Sequence, residues 1–169
     1  MKSSLRVVAV TGLALGASLG LAGTLVTAQN LRAVLWAIDS VGLIVATSIL
    51  ALHFFRKGND VVAAGFLVWA LGESVMLSGT ASTLEASVPA FAAGTALWSA
   101  ALLLTSVPKE FAIWIRLTGI VAAVLFAVTS ARIFWGEVLT PIAKPLPFFA
   151  YPFLVLTFAG WIWSTLKDG

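Results

Sequence analysis

Asp39, Glu73, His53 and Arg116 are four ionisable residues that fall inside long apolar runs of this 169-residue chain. A charged side chain near the centre of a membrane helix costs roughly 2.5–3.5 kcal/mol on insertion scales, so such residues face protein or water and mark pathways for ions or protons. In the run from Leu31 to Phe55, Arg32, Asp39, Ala46 and His53 recur every seven residues with Gly42 beside them. A helix would carry all of them on one face. Asp39 and His53 are then about 21 Å apart along the axis. That excludes a Ser-His-Asp relay, whose base and orienting carboxylate must be within hydrogen-bond reach.

Glu73 lies about 18 Å along its own helix from Val61, and Asp39 about 12 Å below Leu31, so the two carboxyls come to similar depth. If they meet, one should keep a proton, because two like charges do not ionise together comfortably in a low-dielectric site. The functional reading is a proton or ion pathway that enters near Asp39 and Glu73 and leaves near His53 and Arg116. The structural reading is a set of internal ion pairs that fix helix order; residue types alone leave both open. Hydroxyls at Ser40, Thr47, Ser74, Ser78 and Thr118 could line a wet path.

Trp69 and Trp98 stand near the middle of their runs and cannot be interface anchors. Their flanks repeat as Ala64-Gly65-x-x-x-Trp69 and Ala93-Gly94-x-x-x-Trp98. They are candidate ligand-lining residues, although core aromatics packed over glycines are the commoner use of this pattern. Glu73 shares a helix face with Trp69, Met76 and Thr80.

Several chemistries are excluded. Cysteine is absent and His53 is the sole histidine, so thiolate ligands, disulfides, iron-sulfur clusters and bis-histidine haem have no ligand set, and zinc lacks its usual partners. All five lysines (Lys2, Lys57, Lys109, Lys144 and Lys167) lie near run ends, which leaves no mid-membrane Schiff-base candidate. No cofactor or metal is expected. The net charge of +3 arises from basic residues at the ends of runs, where they meet lipid headgroups; no basic stripe suggests nucleic acid.

The elements that must hold these residues follow from hydropathy. Hydrophobic residues make up 60% of the chain and charged ones 10%, and the mean hydropathy is +1.05. A soluble domain would be about half apolar and about a quarter charged. Crossing the hydrocarbon core takes about 20 apolar residues in a helix. Six stretches qualify, at 5–28, 31–55, 61–81, 88–107, 111–135 and 146–166, which predicts an all-α integral membrane protein, a single domain with six transmembrane helices and short loops. The first stretch imitates a secretory signal, with Lys2 and Arg6 before it and Val26-Thr27-Ala28 at its end. Its apolar run exceeds the usual length of about 7–15 residues and reads as a retained helix.

With Lys2, Arg6, Arg56, Lys57, Lys109 and Lys167 inside and Arg32, Arg132 and Lys144 outside, the basic residues predict cytoplasmic termini in a plasma membrane of the bacterial inner-membrane type. The two longer loops, after Ala81 and from Gly136 to Pro145, would lie outside. Pro141 and Pro145 predict a stiff extended segment in the second, and Pro152 a kink in the last span. Trp36, Trp135, Phe148, Phe149 and Tyr151 read as outer interface anchors, and Trp114, Trp161 and Trp163 as inner ones.

Small residues supply packing strips: Gly12, Gly16 and Gly20; Gly65, Gly72 and Gly79; Ala92, Ala96 and Ala100; and Gly119, Ala123, Ala127 and Ala131. Six short helices offer more strips than one chain need bury, which raises a homo-oligomer as an expectation. A small transporter or channel for protons, ions or a small solute is the leading functional reading. A non-catalytic membrane subunit or partner-binding protein follows. A membrane enzyme acting on lipid or another apolar substrate comes last, because only Glu73, Asp39 and His53 could serve as its base. A cavity that reaches Glu73 would discriminate among them.

Overall fold

The structure is a computed structural model that describes residues 1–167, and those residues form six helices. They are α1 (Ser3–Leu25), α2 (Gln29–Arg56), α3 (Asp60–Gly79), α4 (Val88–Ser106), α5 (Ile113–Phe134) and α6 (Ala150–Lys167). The first five are long and apolar enough to cross a membrane. α6 falls short of that standard because Tyr151, Pro152, Thr157, Gly160 and Lys167 dilute its apolar residues.

Each helix packs against the next in the chain, and α6 returns to α1, so the six close into a ring. The links between α2 and α3 and between α4 and α5 lie at one end with Met1 and Lys167, here termed the closed end. The links 26–28, 80–87 and 135–149 lie at the other, the open end. Local chemistry explains the tight links. Gly58 adopts φ 74° after α2, a conformation that disfavours other residues. Asn59 then caps α3 by accepting the Val62 amide at 3.3 Å.

The small-residue strips are buried largely within the chain. A Cβ at Gly12 would collide with the Gly42 carbonyl and one at Gly16 with Leu43, while Gly20 faces Asp39 and Gly23 faces Trp36. The reverse order is what antiparallel neighbours joined by a three-residue link must show. On α3, Gly65, Gly72 and Gly79 meet Thr105, Trp98 and Ala90 of α4 in the same way. The α1 strip is thus consumed by α2, and it offers no surface to a second subunit. The alanine rows were expected to be flat faces and are not. Ala92 is buried while Ala100 is exposed, and Ala123 is buried while Ala127 is exposed. A four-residue spacing drifts around a 3.6-residue turn, so each row leaves the interface within two turns.

Two expectations for the last span are corrected. The segment after α5 has no regular structure over 137–140 and turns through 141–142 and 144–149, so the sixth helix begins at Ala150 rather than near Leu146. Pro152 consequently sits in the first turn of α6. Its missing N–H would have had no intrahelical partner there, so it starts the helix instead of kinking it.

Candidate functional site

A cavity of about 100 Å³ opens between the links 80–87 and 135–149 and descends into the bundle as far as Glu73. That volume has room for several water molecules or a small organic ligand. The two loops expected outside supply its mouth through Ser82, Leu84 and Pro141, together with Arg32 at the start of α2. Trp36, Phe91, Trp98 and Met76 form apolar walls, and Asp39, Ser40 and Glu73 form the base.

Glu73 is 1% exposed. Its Oε2 accepts a hydrogen bond from Ser40 Oγ at 3.1 Å across the α2–α3 interface. Its Oε1 is buried without a hydrogen-bond partner. The indole N–H groups of Trp69 and Trp98 approach the same carboxyl group without reaching hydrogen-bond geometry, so both nitrogens are also unsatisfied. The two indoles stack in parallel, 5.4 Å between centroids and 2° between planes. Trp98 lines the cavity and Trp69 stacks behind it.

Asp39 is close enough to Glu73 for the two charges to interact. Its Oδ1 is buried and unpartnered, and its Oδ2 lies over Gly20. The α1 backbone is π-helical over Gly16–Gly20. From within the wide turn, Ser18 Oγ donates to Ala14 O at 2.7 Å and to Leu15 O at 3.2 Å, the carbonyls just before it, an arrangement that loosens the regular ladder. Such bulges are common at functional sites, and here Gly20 leaves the space that Asp39 occupies. The Gly20 carbonyl accepts from Trp36 Nε1 at 3.3 Å, fixing that wall. Tyr151 of α6, buried at 7% exposure, lies within the electrostatic reach of both carboxyls.

The other candidates are elsewhere. His53 lies at the closed end beside Met1, Arg6 and Ser164, edge-on to Phe54 at 5.3 Å. Arg116 donates from Nε to Ser106 O and from a terminal nitrogen to Val107 O, both at 2.8 Å. It closes the C-terminal end of α4, where a cation is favourable. Neither residue reaches the chamber, so the four acid and base candidates do not form one path. Among the described residues, no Lys or Arg lies within ion-pair distance of Asp39 or Glu73, which removes the internal ion pairs as well. Arg132 instead pairs with Glu137 in the following loop, Nε to Oε2 at 2.8 Å.

Of the hydroxyls, Ser40 alone joins the base of the chamber. Thr47, Ser74, Ser78 and Thr118 each donate to a carbonyl of their own helix. Both Trp69 and Trp98 are core residues; Trp98, packed over Gly72, also lines the cavity, whereas Trp69 does not. Sequence reasoning missed Trp36, Tyr151 and Gly20 as parts of the site. The reversed pairing of α1 on α2 could have placed Gly20 on Asp39. Tyr151 has no such signal, because α6 reaches the site only through ring closure.

Family models, curated proteins and solved structures were compared with the chain, and none matches. The reading of the site rests on its geometry. Among the described residues, no group of three His, Cys, Asp or Glu could hold a metal ion.

Proposed function

We propose that this chain is a multi-pass membrane transporter that admits a small solute from the open end and holds it on Asp39 and Glu73. One observation carries the reading. Among the described residues, two buried carboxyls with unpartnered oxygens and no Lys or Arg within ion-pair distance stand at the base of a cavity whose lining reaches the open end of the bundle and not the closed end. Leaving such groups unpaired is expensive in an apolar interior. A purely structural bundle would gain stability by replacing them with leucine.

One-sided access favours a carrier over a channel. Below the chamber, Phe54, Phe66, Phe111, Phe158 and Trp161 interlock, with Phe66 and Trp161 only 4.8 Å apart. A channel needs a continuous wet path, whereas a carrier closes one side while the other is open. The basic residues at the closed end support a placement of that end in the cytoplasm of a bacterial-type inner membrane, with all six helices spanning and both termini inside. Reporter fusions at the two termini should then both report cytoplasm.

The transport reading is tested in liposomes that contain the purified protein, an entrapped pH dye and an imposed proton gradient. A panel of small solutes is added outside. At least one solute should change the gradient faster than in empty liposomes, and Glu73→Gln should abolish that difference while the variant unfolds at the wild-type temperature. Gln keeps the volume and a hydrogen bond to Ser40 but cannot exchange a proton. If no solute gives a Glu73-dependent change, the transport reading fails.

A further inference from the structure

Resting on that reading, we infer that the chamber takes an organic ammonium ion, a primary amine with a short apolar tail, seated between Asp39 and Glu73. The charge pattern selects a cation. Asp39 Oδ1 and Glu73 Oε1 are buried acceptors without donors, and both residues line the cavity. An –NH₃⁺ group brings three donors and one positive charge. It can donate to more than one carboxyl oxygen and supply the counter-charge that no Lys or Arg among the described residues provides.

The walls select an organic cation over a metal ion. Calcium takes six to eight oxygen ligands, and magnesium demands near-ideal octahedral oxygen geometry. The chamber instead sets Trp36, Phe91, Met76 and Trp98 in its walls with the carboxyls. Aromatic faces attract an ammonium by the ring quadrupole and cover an alkyl tail. The carbonyl of Gly20, which packs against Asp39, is already engaged by Trp36.

Charges around the site set its other property, competition between ligand and proton. α6 contributes Tyr151, and α2 contributes Arg32 about 10 Å above Asp39 along the helix, where it stacks over Trp36 at 5.7 Å. α1 and α4 line the cavity with no charged residue, and α5 does not reach it. Proton and ammonium therefore contend for the same two carboxyls. Arg32 stands at the mouth, too far from the base to neutralise them.

Isothermal titration calorimetry on the purified full chain in detergent tests the assignment with n-butylammonium chloride, n-butanol and sodium butyrate. The butylammonium should bind at least about tenfold tighter than butanol, since a hydrogen bond to a charged group is worth that factor or more. Its binding should weaken as pH is lowered, and Asp39→Asn and Glu73→Gln should each remove the preference over butanol. Equal binding of amine and alcohol would overturn the inference by showing a merely apolar pocket. Tighter binding of butyrate would overturn it in favour of Arg32 as the reader, and displacement of the amine by magnesium or calcium at lower concentration would overturn it in favour of a metal. The wild-type comparison decides the matter even if a variant does not fold. A Glu73-dependent solute response in liposomes without amine binding would sink this inference alone; amine binding without any such response would sink the transport reading alone.

Discussion

The two halves of the bundle are built on opposite terms. At the closed end the interior is filled by aromatic side chains in mutual contact: Phe66 and Trp161 are both fully or nearly fully buried, and Phe54, Phe111 and Phe158 pack on them. At the open end a cavity stands over two carboxyls, four buried polar atoms lack partners, and the α1 ladder is widened. A membrane interior tolerates unpaired polar groups only where protein or water gives them a role. Dense aromatic packing fills the closed half, and the unpaired carboxyls belong to the open half alone. Strained or unsatisfied sites persist when the surrounding structure over-determines them.

Removing bulk from the closed half should have the largest effect. Trp161→Ala is expected to cost about 3–5 kcal/mol, the range for deleting a buried aromatic side chain. Met76→Ala, on the cavity wall, should cost about 2 kcal/mol or less, because part of its surroundings is already open. Denaturant unfolding in detergent measures both, and equal losses would break the distinction between the halves.

Adding bulk tests the same contrast from the other side. A Cβ at Gly12 meets the backbone carbonyl of Gly42, which cannot move without the helix, so Gly12→Ala should cost about 1–3 kcal/mol. At Gly20 the Cβ meets Asp39 Oδ2 at 2.8 Å, a side-chain atom with the cavity beside it. Gly20→Ala should therefore change thermal stability less than Gly12→Ala while weakening whatever Asp39 binds. The reverse ranking in a thermal melt would show that the chamber is the rigid half.

Arg116→Ala removes two hydrogen bonds to carbonyls at the end of α4 and should cost about 1–2 kcal/mol. The liposome response should be unchanged, and a lost response with the fold intact would restore Arg116 to the pathway. The smallest expected change in stability belongs to Glu73→Gln, less than about 1.5 kcal/mol by chemical denaturation. A buried ion pair broken on one side would lose about 3–5 kcal/mol instead. A loss of that size would reveal a cationic partner and erase the contrast between an open half built on unpaired carboxyls and a closed half built on packed aromatic rings.

Composition and hydropathy determined the helical class, the six elements and most of their limits, because about 20 consecutive apolar residues can satisfy their backbone only as a helix in lipid. Heptad spacing determined the Gly65, Gly72 and Gly79 seam, and span depth placed Asp39 and Glu73 at one level, because rise per residue is a local property. Ring closure belongs to tertiary structure. α6 returning to α1 brings Tyr151 to carboxyls more than 70 positions earlier in the chain, and no period within a helix carries that information. The fates of His53 and Arg116 were likewise decided by packing: their residue types suit a pathway, but aromatic rings fill the space beneath the chamber and the end of α4 claims the arginine. Whether a buried acid is paired or open depends on which neighbour's side chain fills the last few ångströms, and that choice is made only when six helices pack together.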